Sequence, residues 1–282
     1  MASTRSRPKV SLLLAVPLST VLFLFALFAF TGVPRFRADP SLGVFSLFRT
    51  LETGTNIIDH RKETAPRWLY HGLHAGPAMV WCVAIPLQHI DGLRMKWPIF
   101  HRINGYTALT VSLIQSISGV LFLIYGYAYT HQNLLHIHYL CIRGKWIPPF
   151  LWPTFEAGLW VYAPIFVFTL ARTVQTARSR NLAQHRKWAV LHTIAGYVIA
   201  INRLNLTVLL ALGDILTWLP VRTREFLLGS PSFTEVVDME ISAFAGAAAY
   251  AYVIAGIWAV TQVTQRGQTP SRKAVLEKAT ES

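Results

Sequence analysis

Residues 187–212 read KWAVLHTIAGYVIAINRLNLTVLLAL, and this segment decides the fold class. Beyond its first residue it carries a single formal charge, at Arg203. An α-helix needs about 20 predominantly apolar residues to cross the hydrocarbon core of a bilayer. The segment therefore predicts a transmembrane helix. Arg203 becomes a candidate functional residue, because a charged side chain inside a bilayer is costly.

Five other segments of similar length and apolarity predict further transmembrane helices. They are residues 10–33, 68–90, 103–127, 150–171 and 240–263. The composition agrees, since 53% of the 282 residues are hydrophobic, 14% are charged and the mean hydropathy is +0.39. The sequence thus predicts an all-α, polytopic membrane helix bundle with six transmembrane helices. It excludes a water-soluble protein with a single core.

The basic residues indicate how the helices cross the membrane. The formal net charge is +13, but Lys and Arg form short clusters between the apolar segments. The charge therefore indicates membrane topology and a lipid bilayer as partner, and it excludes a nucleic-acid partner. With a cytosolic N-terminus, fifteen Lys and Arg residues lie on the cytosolic side and ten on the outer side. We expect both termini in the cytosol, in a multi-pass protein of the endoplasmic reticulum or plasma membrane.

Four regions follow from these segments. Residues 1–33 contain the cytosolic N-terminus and an uncleaved first anchor, and residues 34–67 form an outer loop with an apolar patch typical of an interfacial helix. Residues 68–263 form a five-helix membrane core, and residues 264–282 form a disordered cytosolic tail. Cys82 lies in an apolar segment and Cys141 in a polar loop. They predict neither a disulfide nor a metal site.

Polar residues inside the predicted helices fall into two layers. Seven residues separate His185 from His192 and eleven separate His192 from Arg203, so the three lie on nearly one helical face. On helix three, a stripe of small and polar residues follows helical spacing and suits close contact with a helix or ligand: His101, Gly105, Ser112, Ser116 and Gly119. The outer layer contains His71, His74, Glu156, Arg203 and Glu240. The inner layer contains Gln88, His101 and His185.

The outer layer favours acid–base chemistry. His74 is the candidate proton carrier, and Arg203 would hold an anionic or enolic oxygen. Glu156 or Glu240 would be the carboxylate partner or the acid. The leading hypothesis is a membrane-embedded enzyme of isomerase or cyclase type, acting in specialised metabolism on a small hydrophobic ligand. The alternative for Arg203 is a purely structural pair with a glutamate.

Several short motifs between residues 68 and 210 have a characteristic spacing. Gln88 ends a Pro-Leu-Gln sequence fourteen residues after His74, and Arg203 follows His185 by eighteen residues. Between them lie His101-Arg102, Gly105-Tyr106 and His185-Arg186-Lys187-Trp188. Together these motifs resemble the multi-pass membrane family called domain of unknown function 2306. The resemblance implies a helical membrane fold and no particular reaction.

A looser similarity connects the chain with the ascorbate-reducible transmembrane cytochromes b, six-helix proteins in which histidine pairs bind two haems. It implies haem b as an alternative cofactor, with His101 and His185 as the axial pair and with His192 and Gln88 nearby. In the outer layer, Arg203 stands where a second axial histidine would be needed.

Two alternatives to the enzyme therefore stay open. One is a transmembrane haem oxidoreductase. The other is a small-molecule or proton transporter with a path along His185, His192 and Arg203. The sequence has no glycine-rich phosphate loop and no dinucleotide-binding glycine motif, so nucleotide-dependent chemistry is not expected.

Overall fold

The computed structural model describes residues 10–31, 64–128, 134, 137–142, 145–229 and 233–264. The apolar patch at residues 44–48, for which we predicted an interfacial helix, lies outside these ranges. So do the tail after Thr264 and the histidines of residues 131–136.

Helices make up most of the described chain and confirm the predicted helical class. Helix α1 spans Leu12–Thr31, and a π-helical segment, Trp68–Ala75, continues without a break as α2, Gly76–Gln88. The other helices are α3 (Asp91–Lys96), α4 (Pro98–Ile124), α5 (Phe155–Arg178), α6 (Leu182–Trp218), α7 (Val221–Leu228) and α8 (Phe233–Thr264).

Five helices among the described residues are long and apolar enough to cross a membrane. They are α1, α4, α5, the Leu182–Leu209 part of α6 and the Ile241–Thr264 part of α8. The predicted second segment is also helical, from Trp68 to Gln88, but its π-helical and α-helical parts have 8 and 13 residues. Large apolar side chains such as Leu13, Val161 and Ile257 are exposed on the bundle surface. Such a surface suits contact with lipid tails rather than water.

A two-stranded antiparallel sheet connects α4 to α5 and was not predicted. Strand β1 (Ile137–Ile142) pairs with β2 (Lys145–Pro153), so residues 150–153 are extended where the sequence analysis began a transmembrane helix. Proline explains the difference: Pro148, Pro149 and Pro153 disfavour helical backbone in the residues before them. Helix α5 begins only after Thr154, whose Oγ1 accepts a hydrogen bond from the Ala157 N–H at 3.2 Å.

Helix α6 is the central element of the bundle. It packs against α1, α5 and α8, while α4 packs against α2 and α5. Within an 18-residue stretch of the Leu182–Leu209 span 61% of the residues are buried, against 17% within a stretch of the same length in α1. The Tyr197 hydroxyl ties α6 to α1, because it donates to the Ala15 carbonyl at 3.0 Å and lies 2.8 Å from Ser19 Oγ.

Helices α1, α2, α4, α5 and α6 therefore surround a shared interior. We call the end of the bundle at which α4 and α6 begin the inner end, and the opposite end the outer end. His101 and His185 lie near the inner end, while His74 and Arg203 lie in the outer half.

Candidate functional site

A cavity of about 140 Å³ lies in the outer half of the bundle. Side chains from the π-helical segment, α1, α2, α4, α5 and α6 line it, and most of its wall is apolar. The lining residues are Leu22, His74, Ala78, Trp81, Gln115, Ser116, Gly119, Phe122, Leu123, Leu159, Tyr162, Ala163, Phe166, Gly196, Ile199 and Arg203. Two of the predicted site residues, His74 and Arg203, thus share one cavity although 129 residues separate them in sequence.

The π-helical segment carries His74 into this cavity. Its wider turns are marked by a hydrogen bond from the Gly76 N–H to the His71 carbonyl, five residues earlier. A Cβ at position 76 would approach that carbonyl oxygen to 3.0 Å, so glycine eases the close turn. Short π-helical stretches occur frequently at functional sites. Here the π-turns begin the second apolar helix and contain both His71 and His74.

Hydrogen bonds define the orientation of the His74 ring. Its Nδ1 lies 3.0 Å from the Ser118 hydroxyl, and that hydroxyl donates to the Gln115 carbonyl at 3.1 Å. A serine hydroxyl has one hydrogen, so both contacts are satisfied only if His74 Nδ1 carries a proton and donates it to Ser118. In neutral His74 this tautomer places the lone pair on Nε2. The edge of the ring packs against Phe122, with centroids 4.8 Å apart.

Arg203 reaches the cavity from the central helix. Gly196 and Ile199 line the same cavity, and their spacing of three and four residues places all three on one face of α6. A guanidinium carries five N–H donors in a planar fork and suits an anionic oxygen. Arg203 and His74 therefore provide a cationic donor and a titratable group within one apolar cavity.

Three further residues of α4 line the cavity, and two of them, Gln115 and Ser116, have polar side chains. Ser116 and Gly119 belong to the small stripe that the sequence analysis identified, and Gln115 joins them. The Gln115 side chain makes no hydrogen bond to the described residues, so its amide can both donate to and accept from a ligand. Gln115 was not predicted, although its position four residues before Gly119 was an available signal.

The predicted carboxylates are not among the residues that line the cavity. Glu156 is in the first turn of α5, where its Oε1 accepts a hydrogen bond from Trp160 Nε1 at 3.3 Å. The Glu240 side chain lies outside the described part of the structure. His71 also stays away from the cavity wall, with its Nδ1 3.3 Å from the Arg67 carbonyl oxygen. The structure therefore places His74 and Arg203 on one cavity wall, which neither Glu156 nor His71 lines.

The inner layer is a separate group of polar side chains. Gln88 Nε2 donates to the His101 carbonyl at 2.9 Å, and His185 Nδ1 lies 3.1 Å from the Thr173 carbonyl oxygen. His101 and His185 both lie near the inner end of the bundle, at the starts of α4 and α6. A histidine that ligates a metal commonly donates its other N–H to a backbone carbonyl, as His185 does here. His185 therefore fits an axial haem ligand in its chemistry, whereas His101 Nδ1 is buried and has no hydrogen-bond partner among the described residues.

His192 belongs to a closed hydrogen-bond network between helices. Trp81 Nε1 donates to Ser112 Oγ at 3.0 Å, and Ser112 Oγ lies 3.1 Å from His192 Nε2. His192 Nδ1 lies 3.2 Å from Thr169 Oγ1, which donates to the Phe166 carbonyl. One neutral tautomer, with the proton on Nδ1, satisfies every group in this chain. Both ring nitrogens are thus engaged, and His192 is 3% exposed, so it neither offers an iron ligand nor lines an open path.

Among the residues that the structure describes, no group of three or more His, Cys, Asp or Glu side chains is placed to hold a metal ion.

In comparisons with known proteins, no family model, curated protein or solved structure is significantly similar to this chain.

Proposed function

We propose that this protein is a membrane-embedded enzyme that performs acid–base chemistry of the isomerase or cyclase type on a small hydrophobic molecule. The observation that carries the proposal is the shared cavity of His74 and Arg203. His74 moves the proton, and Arg203 holds the oxygen on which negative charge develops. Both act in a largely apolar cavity, where such electrostatic interactions are stronger than in water.

The cavity limits the substrate. Its volume of about 140 Å³ resembles that of an engineered protein cavity of about 150 Å³ that binds benzene. A group the size of one six-membered ring therefore fits between the apolar walls. The polar atoms of Gln115, Ser116 and Arg203 favour a ring with at least one oxygen, such as a ketone or enol.

The same proposal includes six membrane crossings with both termini in the cytosol. The 21 helical residues from Trp68 to Gln88 support the sixth crossing, since their length at about 1.5 Å per residue matches a bilayer core of about 30 Å. The excess of Lys and Arg at the inner end supports the orientation. The cavity then lies in the half of the membrane away from the cytosol.

Conversion of a hydrophobic extract by reconstituted protein tests the enzyme proposal. The full-length protein in proteoliposomes is incubated with the extract, and untargeted mass spectrometry detects a compound that it converts. Arg203→Leu and Gly119→Leu should both abolish the conversion. Gly119 lines the cavity and has no atom within 4 Å of an added Cβ, so leucine there fills the cavity without a clash at its Cβ.

Gly256→Leu provides the matched control for this experiment. Gly256 also has no neighbour within 4 Å of an added Cβ, but it lies in α8 away from the cavity wall. This variant should convert the compound at the wild-type rate. Full conversion by Gly119→Leu or by folded Arg203→Leu would contradict the proposed site.

A haem-binding oxidoreductase is the second candidate. The observation that favours it is the hydrogen bond of His185 Nδ1 to the Thr173 carbonyl, which leaves Nε2 as the ligating nitrogen. Haem would supply one-electron chemistry, and His101 and His185 would hold it. The cavity described above is lined by neither histidine, so this site is distinct from the acid–base site.

An absorption spectrum decides between these candidates. The purified protein is supplemented with haem and measured before and after dithionite, with His101→Ala and His185→Ala alongside. A b-type spectrum that both variants lose supports the haem candidate. Folded protein that stays colourless eliminates it.

A further inference from the structure

A second polar cluster lies at the inner end of the bundle, where α5 ends and α6 begins. The Trp188 indole has two cations near it: Arg172 Cζ lies 5.2 Å and Lys187 Nζ 5.9 Å from the ring centroid. Phe168 packs edge-on against the indole, with centroids 5.4 Å apart. The Arg172 guanidinium is oriented further by a hydrogen bond to Gln175 Oε1 at 2.7 Å.

This cluster has positive charge but no acidic partner among the described residues. Neither Arg172 nor Lys187 forms an ion pair there. Asp91, an acidic residue near the inner end, pairs with Arg94 at 2.9 Å. The N–H groups of Arg172 Nε and Trp188 Nε1 are also buried and donate to no acceptor in the described chain. Two cations at one ring repel each other, and an anion between them would remove that repulsion.

We propose that Arg172, Lys187 and Trp188 bind the phosphate group of an anionic phospholipid. A guanidinium binds phosphate oxygens through paired N–H donors, and an ammonium adds a compact charge. Tryptophan is enriched at the depth of lipid headgroups, because its ring is apolar and its N–H is polar. Arg172 lies six residues before the end of α5, about 9 Å along the helix axis, which is near that depth.

An apolar track next to the cluster favours a lipid over a free phosphate ion. Phe168, Ile165 and Val161 are exposed and precede Arg172 at intervals of three and four residues. They therefore form one stripe on α5 that runs from the cations toward the middle of the bundle. A phosphate held by Arg172 would place the attached acyl chain along this stripe. Inorganic phosphate would leave the stripe unused.

Native mass spectrometry of the full-length protein in detergent tests this site. The protein is titrated with dioleoyl phosphatidylglycerol, and inorganic phosphate is added as a competitor. Arg172→Gln and Lys187→Gln should each weaken lipid binding by about tenfold, because each removes a charged donor to the phosphate. Arg178→Gln removes the same charge from an exposed position at the end of α5 and should leave the affinity unchanged.

The results distinguish a specific phosphate-binding site from nonspecific attraction of the lipid to surface charge. An equal loss in Arg178→Gln and Arg172→Gln would overturn the proposal, as would unchanged binding in folded Lys187→Gln. Displacement of the lipid by inorganic phosphate at a comparable concentration would overturn the lipid assignment. Arg172→Lys should bind with intermediate affinity, since it keeps the charge and loses the planar fork.

Discussion

The tautomer of neutral His74 depends on one buried serine, Ser118. Ser118 Oγ gives its hydrogen to the Gln115 carbonyl and so can only accept from His74 Nδ1. This contact would set the tautomer before any ligand arrives. A proton carrier with a defined tautomer is what the proposed chemistry requires.

Replacement of Ser118 should therefore allow His74 to adopt either neutral tautomer. In Ser118→Ala the Nδ1–H loses its acceptor, and we expect a mixture of both neutral tautomers. Nitrogen-15 NMR of histidine-labelled protein detects this change, with the His74 signals assigned by their loss in His74→Gln. Ser116→Ala is the control, since the Ser116 hydroxyl bonds to the Ser112 carbonyl within its own helix. An unchanged His74 tautomer in Ser118→Ala would show that Ser118 does not set it.

His192 should matter for stability rather than for chemistry. His192→Phe leaves the hydroxyls of Ser112 and Thr169 without one of their partners, at a cost of about 1–3 kcal/mol for a buried unsatisfied group. We expect a lower thermal unfolding temperature in detergent. His71→Phe is the control, because the His71 hydrogen bond is local: its partner is the carbonyl of Arg67, four residues earlier in the chain. Equal unfolding temperatures for the two variants would contradict the structural role of His192.

At the scale of elements, α2 and α6 are held together by an aromatic ring that fits against a glycine. The Trp81 indole occupies the space beside Gly196, where an added Cβ would overlap the ring, and it packs edge-on against Tyr197 at 5.3 Å. This close approach of the two helices also shapes the cavity, since Trp81 and Gly196 both line it. The contact thus couples helix packing to the site.

Gly196→Ala should disturb this contact. The methyl group forces the Trp81 ring to move, and such overpacking costs about 1–3 kcal/mol. Gly256→Ala offers the comparison, because its added methyl meets open space and alanine favours the helix. Thermal unfolding should show a lower midpoint for Gly196→Ala and an equal or higher one for Gly256→Ala. The opposite order would argue against the tight packing of Trp81.

The helical elements were predictable from the sequence to different degrees. Helical periodicity alone places His185, His192 and Arg203 on one face of a helix. Apolar segments long enough to cross a bilayer are the clearest signal in the sequence. The π-turns at His74 depend on the hydrogen-bond register, which apolar periodicity does not encode. Residues 150–153, at the end of β2, are apolar enough to be taken for the start of a helix, and Pro148, Pro149 and Pro153 were the signal against that interpretation.

The residues of the candidate site were predictable only where the depth of a side chain in the membrane was enough to assign it to the cavity. His74 and Arg203 were placed in one layer by counting residues along oppositely directed helices, and they line one cavity. Glu156 satisfied the same depth criterion and lies outside the wall. Depth does not fix the rotation of a helix about its axis, and this rotation decides whether a side chain such as Gln115 faces the interior.

At the scale of the whole molecule, the number of crossings determines which side each terminus occupies. If residues 68–88 cross the membrane, the six crossings place both termini on the same side. Epitope tags at the two ends, digested by protease in sealed vesicles, should therefore be protected or cleaved together. A tag protected at one end and cleaved at the other would mean that one of the six segments does not cross.

The central claim is that His74 transfers protons to and from a ligand in the outer cavity. Proteoliposomes in deuterated water, supplied with a hydrophobic extract, test it most directly, because reversible proton abstraction from carbon leaves deuterium in the substrate. We predict that the wild-type protein and His71→Gln label at least one compound, while His74→Gln labels none. Equal labelling by His74→Gln, or no labelling by the wild-type protein, would contradict the claim.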